Sequence, residues 1–201
     1  MSLLSEYDEA VRESSGTFCG VDEAGRGPLA GDVYAAAVIL DPSNPIEGLN
    51  DSKKLSEKKR ELLYDEIIEK ANDYCIAIAT IAEIEEMNIL NAAMLAMKRA
   101  ISGLESSFNL ALIDGNKIPE ISCEARAVVK GDGLSASIAA ASILAKVTRD
   151  RYMKEMSEKY SEYGFEKHKG YGTKLHREKI LEFGPCPLHR TSFLRKIYAK
   201  K

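Results

Sequence analysis

The chain has 201 residues, 45% hydrophobic and 29% charged, with a formal net charge of −3, which suits one soluble globular domain with a small appendage. That charge does not advertise a nucleic-acid binder, but an average over all faces does not exclude a local basic groove. Cys19, Cys75, Cys123 and Cys186 are widely spaced with no Cys-x-x-Cys pair, so neither a zinc site nor a disulfide framework is indicated and reduced thiols in a cytosol are expected. No apolar run reaches the roughly 18 residues of a membrane span, and no basic stretch followed by an apolar core marks a secretory signal.

In chain order, Ser2 to Glu13 spaces Leu3, Leu4, Tyr7, Ala10 and Val11 by three and four residues, predicting a short amphipathic helix that carries no chemistry. Thr17 to Val21 and Val33 to Leu40 predict two sequential strands around a glycine-rich turn. Between them Asp22 and Glu23 stand side by side at the end of an apolar run. Gly25, Gly27 and Gly31 follow, where backbone N–H groups can approach a ligand without a Cβ in the way. These residues alone fit a strand and a solvated turn equally well.

Asp41 to Gly48 reads as a loop by its prolines, and Ser56 to about Ala71 as a helix with Leu62, Leu63, Ile67 and Ile68 on the buried face. Ser52, Lys53 and Lys54 therefore precede a helix N-terminus, a position that suits phosphate contacts or an ordinary charged turn. Tyr74 to Ile81 predicts a third strand, and Ile89 to Leu104 a helix faced by Leu90, Met94, Met97 and Ile101. Leu110 to Asp114 repeats the opening design, an apolar strand ending in a carboxylate before Gly115. Ligands in open α/β sheets gather at the carboxyl ends of strands, so two such strands say more than one, although an Asx turn also explains Asp114.

Ala125 to Lys130 predicts a fifth strand, and a long helix opens after Gly131 and runs to about Tyr160, its first half built of small side chains. Asp132 stands just before it, where a helix-capping acid is the plain alternative to a ligand. Ser142, Lys146 and Arg149 share one helix face that could track a phosphate backbone, whereas Asp150 and Arg151 read as surface charges. Tyr160 to Lys174 reads as a loop of aromatic rings interleaved with cations, the composition of a nucleic-acid surface or simply of a charged surface loop. A short helix near His176 to Phe183 and basic residues out to Lys201 complete the chain.

Several long motifs stand in order: Val21–Gly31, Asp51–Ser56, Asn88–Met94, Ile113–Asn116, Val129–Asp132, Ala139–Val147, His168–Thr173 and Pro187–Arg190. In these the chain resembles ribonuclease HII, the type 2 ribonuclease H family, over nearly its full length, and is more similar to the bacterial form than to the archaeal or eukaryotic ones. The resemblance implies an α/β protein of ribonuclease-H-like fold, a mixed central sheet flanked by helices with a small helical C-terminal part. It divides into a catalytic domain over 1–160 and a substrate-contacting helical extension over 161–201. The family's four metal-site acids fall on Asp22, Glu23, Asp114 and Asp132. Its Gly-Arg-Gly motif, understood to sense the ribose 2′-hydroxyl, falls on Gly25, Arg26 and Gly27, and its sugar-packing tyrosine on Tyr171. Phosphate contacts are implied for Ser52, Lys53, Ser142 and Lys146.

The implied activity is endonucleolytic hydrolysis of RNA in RNA–DNA hybrids and at ribonucleotides embedded in duplex DNA, leaving 5′-phosphate and 3′-hydroxyl ends. It would use a two-metal site of Mg²⁺ or Mn²⁺, in a cytoplasmic, monomeric enzyme with no membrane partner. The chemistry agrees, since hard oxygen ligands suit those ions and two of them about 4 Å apart activate water and stabilise a leaving oxygen. Asp22 is expected to be central and Glu23 marginal, because neighbouring strand residues point to opposite faces. Three departures from common family residues are Asp32, expected to face solvent, the Gly133–Ser137 stretch, and Ser161. A non-catalytic hybrid-binding module is the competing class, and a metal phosphohydrolase of small substrates a competing enzyme. Four convergent acids argue against the first, and the long run of phosphate-contact candidates argues against the second.

Overall fold

Phe18–Ala24 (β1), Val33–Ile39 (β2), Asp73–Ala79 (β3), Leu110–Asp114 (β4) and Glu124–Val128 (β5) form one sheet in the order β3-β2-β1-β4-β5. The coordinates are a computed structural model that describes residues 3–199, so the expected helix start at Ser2 and the basic end at Lys200 and Lys201 lie outside it. β1 pairs antiparallel with β2, as does β2 with β3, while β1–β4 and β4–β5 are parallel. The sheet is therefore mixed, as expected. Seven helices accompany it among the described residues: Leu3–Ser15 (α1), Glu57–Lys70 (α2), Ile81–Ser102 (α3), Ala136–Lys159 (α4), Phe165–His168 (α5), Lys174–Phe183 (α6) and Thr191–Tyr198 (α7).

Helices cover both faces of the sheet, which is why β2 is apolar without interruption. Ala35, Ala37 and Ile39 pack with Ala92, Ala96 and Met97 of α3, whereas the alternate Ala36 and Val38 pack with Ala140, Ile143 and Leu144 of α4 and with Leu63 and Ile67 of α2. Leu62, expected on the buried face of α2, is exposed. The small side chains of α4 bring its backbone against β1, and a Cβ on Gly20 would stand 2.2 Å from the Ser137 carbonyl carbon. α1 is pinned to the same helix end, since Asp8 Oδ2 accepts from Ser137 N at 2.9 Å and from Ser137 Oγ at 2.7 Å.

The segment after β3 departs from expectation. Strand character was expected through Ile81 and helix only from Ile89, but α3 starts at Ile81 behind a capping box. Thr80 Oγ1 accepts from Glu83 N, and Glu83 Oε2 accepts from Thr80 N. Asn88, at φ 71° and ψ 162°, then breaks the helix, and its Oδ1 accepts from Leu90 N and Asn91 N. The helical periodicity visible from Ile89 is that second start.

The Tyr160–Lys174 stretch is less loop-like than expected. It folds into a 3-10 turn at Ser161–Tyr163 and α5, and Thr173 caps α6. Tyr163 and Phe165 are buried with Ala30, Met153 and Leu188 in an apolar cluster that ties the C-terminal part to the glycine turn, and the buried His168 packs edge-on against Phe165. Their rings serve packing. Tyr171 stays exposed.

Candidate active site

β1 and β4 are adjacent and parallel with Val21 opposite Ile113, so Asp22 and Asp114 leave the sheet at the same edge. β5 runs alongside in parallel and leads into a 3-10 turn, Gly131–Gly133, that carries Asp132. The turn is fixed from below, since Gly131 N donates to Asp114 Oδ1 at 2.6 Å. Lys130, left-handed at φ 59°, makes the corner.

Asp22 is 4% exposed, and its carboxyl is pushed well above the usual range by burial and then by the charges of Glu23 and Asp114. Hydrogen bonds from the Ser142 hydroxyl and from Glu23 N, the latter at 2.7 Å, oppose that rise. Glu23 lies nearer the surface, 3.3 Å from Arg26 Nη1, and burial raises its pKa against the pull of that guanidinium. Asp114 is raised by burial and by Asp132. Lys53 Nζ stands 3.4 Å from Asp132 Oδ2. Burial lowers its pKa, but Asp132, Asp22 and Asp51 outweigh that and hold the ammonium charged.

The four expected acids thus share one electrostatic neighbourhood, whose negative charge Lys53 and Arg26 partly offset. Among the described residues no three His, Cys, Asp or Glu side chains already converge as a closed metal cage. The donor chemistry nevertheless fits a hard divalent cation: the donors are oxygens, they repel one another, and Mg²⁺ takes one or two carboxylates and completes its shell with water and substrate oxygens. The buried Asp22 oxygens and the outer edge of Asp114 and Asp132 are the groups that would hold it.

Ser52 and Ser142, expected at phosphates, are both buried, with their hydroxyls 2.9 Å apart beside Asp22. Lys53 keeps its side chain exposed. Lys146 pairs with Asp150 at 2.7 Å and stands 5.6 Å over the Tyr171 ring. Two expectations on α4 are corrected here. Arg149 does not face outward to track phosphates: it is buried, donating to the carbonyls of Asp32, Lys169 and Ala30. Asp150 is buried in its pair with Lys146 and is no surface charge, whereas Arg151 is exposed and bonded to Glu61. Asp32 does not face open solvent: its Oδ1 accepts the first amide of α3, Ile81 N, at 2.9 Å, which a leading helix N–H demands.

The glycine turn lies against the Tyr171 ring, whose nearest carbon is 3.7 Å from where a Cβ on Gly27 would stand. Tyr171 is 42% exposed, so part of the ring is open although Lys146 and Arg149 stand over it. Arg190 is the residue that sequence reasoning left without a role. It is fully buried, and its sequence signal is its place at the end of the Pro187–Arg190 motif.

The family model of ribonuclease HII matches residues 19–196. The chain belongs to the ribonuclease HII family. A ribonuclease HII from Shewanella pealeana is 59% identical over 178 residues, covering 89% of this chain and 88% of that one. One from Burkholderia cenocepacia is 59% identical over 175 residues, covering 87% and 82%. Among solved structures, the ribonuclease H2 of Pyrococcus horikoshii OT3 is similar with TM-score 0.74 and 29% identity, over 92% of this chain and 98% of that chain. A Bst-RNase HIII in complex with Mn²⁺ is similar with TM-score 0.73 at 18% identity, over 92% of this chain and 70% of that one, and supports the fold alone. As a ribonuclease HII the chain is a divalent-metal-dependent endoribonuclease of RNA–DNA hybrids with an α/β ribonuclease-H-like fold. No helix among the described residues is long and apolar enough to cross a membrane.

Proposed function

We propose that this ribonuclease HII cuts the RNA strand of hybrids and also duplex DNA at single embedded ribonucleotides, leaving 5′-phosphate and 3′-hydroxyl ends. Asp22, Glu23, Asp114 and Asp132 would be its metal-binding and catalytic acids. The observation that carries this reading is the placement of Asp22 and Asp114 at the same end of two adjacent parallel strands, with Asp132 one short turn beyond β5. Buried acids that raise one another's pKa are costly, and a bound cation offsets that cost, whereas a pure binding module has no need of them.

When bound, two Mg²⁺ or Mn²⁺ ions would supply a water acidic near neutral pH and charge to meet the leaving 3′-oxygen. The chain's own groups do the rest. Asp22 presents its carboxylate centrally, oriented by Ser142 and Glu23 N, while Glu23 works from the margin. Lys53 and Lys146 offer cations to the strand backbone, with Ser52 and Ser142 close by. The backbone of Gly25, Arg26 and Gly27 reads the 2′-hydroxyl, the group that distinguishes ribose from deoxyribose. Tyr171 packs the exposed part of its ring on the sugar at the RNA–DNA junction. In this reading 161–201 is the substrate-contacting part and 1–160 the catalytic part, and the unpaired thiols suit a cytoplasmic enzyme.

A cleavage assay tests it, using a long hybrid, a duplex with one ribonucleotide and an all-deoxy duplex, each with Mg²⁺ and with Mn²⁺. Cutting of the first two with 3′-hydroxyl products is expected; loss of cutting at the single ribonucleotide would overturn the finer reading while leaving the family's hybrid activity.

A further inference from the structure

Arg190 is 0% exposed, and among the described residues no carboxylate pairs with it. Its guanidinium is spent on the glycine turn. Nε donates to Gly31 O at 2.8 Å, Nη1 to Pro28 O at 2.8 Å and Arg26 O at 3.3 Å. Nη2 donates to Gly25 O at 2.7 Å, Gly31 O at 2.6 Å and Asp32 O at 3.3 Å. Burial, and after it the neighbouring Arg149, pull its pKa down to about 9. A buried cation held by five carbonyls, with the Phe193 ring 5.3 Å from its guanidinium carbon, is an expensive way to close a turn, since an apolar residue would pack there more cheaply.

The geometry shows what that arrangement accomplishes. In a trans peptide the C=O and the following N–H point in opposite directions, and the described chain has no cis bond. Drawing the Gly25 and Arg26 carbonyls inward onto Arg190 therefore turns the N–H groups of Arg26 and Gly27 outward. Among the described residues neither N–H is donated to another protein group.

The same segment also reaches the other half of the sugar site. Arg190 N donates to Leu29 O and Gly31 N to Leu188 O, both at 2.8 Å, as a small antiparallel bridge between 30 and 189. The preceding residue, His189, meets His176 at 3.0 Å, and His176 Nδ1 lies 3.0 Å from Tyr171 O. Leu188 to Arg190 thus bonds the backbone of the turn directly and reaches the tyrosine backbone through His176.

We propose that Arg190 is the positioning residue for ribose recognition: it aims the Arg26 and Gly27 amides at the 2′-oxygen, while His189 next to it acts through His176 to hold Tyr171 across from them. The inference rests on the reading that this turn senses the 2′-hydroxyl. A lysine cannot replace it, because one ammonium does not span five carbonyls.

The test is equilibrium binding in metal-free buffer, where nothing is cut, of a duplex with one ribonucleotide and of the same duplex all-deoxy. Wild-type protein is expected to prefer the ribonucleotide duplex, and Arg190→Lys to shrink that preference by about tenfold while all-deoxy affinity holds. A merely structural role lowers the folded fraction and leaves the ratio unchanged, so an unchanged ratio overturns the proposal. A wild-type protein with no ribose preference overturns the reading beneath it instead. Should Arg190→Lys not fold, amide exchange on wild-type protein decides. The Leu29, Gly31 and Arg190 amides are then expected to open together with one denaturant dependence, and a turn that opens independently of Arg190 sinks the proposal.

Discussion

His176 and His189 meet Nε2 to Nε2 at 3.0 Å in the buried cluster behind the Tyr171 loop. Cys186 N donates to His189 Nδ1 at 2.9 Å, which puts the His189 proton on Nε2 and makes the His176 Nε2 an acceptor. His176 then carries its proton on Nδ1 and donates it to Tyr171 O. Each ring is fixed as neutral, because a second proton would set two N–H groups face to face.

That relay makes stability depend on pH. Burial lowers both pKa values from 6.5 to about 4, with His168 adding to the effect on each ring. Below pH 6.5 the unfolded chain takes up protons that the folded one refuses, so this contribution is complete above 6.5 and falls away towards pH 4. The slope is at most ~1.4 kcal/mol per pH unit for each ring. Asp8 and Asp22, with raised pKa values, act in the opposite sense, so the measurement compares wild type with His176→Gln. Glutamine can still donate to Tyr171 O, and denaturation between pH 6.5 and 4 is expected to lose about one proton's worth of slope. Equal slopes would mean that His176 titrates normally.

Asp22→Asn is expected to abolish cleavage while hybrid binding survives. Losing a central metal ligand removes several kcal/mol of transition-state stabilisation, a rate loss on the order of 10³ or more. Because the carboxylate is buried beside Glu23 and Asp114, its removal should also raise the melting temperature of metal-free protein by a few degrees. Full activity with Mg²⁺ would remove Asp22 from the ligand set.

Tyr171→Ala should weaken cutting at an RNA–DNA junction far more than folding. Aromatic stacking on a nucleotide contributes ~1–3 kcal/mol, a loss of about tenfold to a hundredfold in kcat/KM. The ring is 42% exposed and its neighbours are the side chains of Lys146 and Arg149, so the stability change should stay within ~1 kcal/mol. An unchanged rate on a single-ribonucleotide duplex would count against a substrate role.

Two glycines of the turn should separate stability from function. Gly25 sits at φ 106°, and a Cβ there would lie 2.4 Å from Arg149 Nε, so Gly25→Ala should destabilise by more than ~1 kcal/mol. Gly27 has only the Tyr171 ring nearby, at 3.7 Å. Gly27→Ala should melt like wild type yet lose ribonucleotide cleavage, since the new methyl stands between turn and ring. Thermal melts with cleavage rates on both variants check this, and a Gly27→Ala enzyme of normal activity would place the substrate elsewhere.

The sequence by itself determined the strands and, through the family its long motifs resemble, the mixed α/β class, because strand and helix periodicity, glycine punctuation and motifs are local properties of the chain. Its errors were local too: the Thr80–Glu83 capping box begins α3 eight residues before the visible periodicity at Ile89, with the break at Asn88 between them. What only the tertiary structure decided is which charges face inward. Arg149, Asp150 and Arg190 look like surface residues in one dimension, yet each is buried because partners distant in sequence, or a neighbouring helix turn, receive it. Arg190 donates to carbonyls 158 to 165 residues away. A backbone carbonyl is present in every residue and leaves no mark in the sequence, so a cation held by carbonyls becomes legible only when the chain has folded around it.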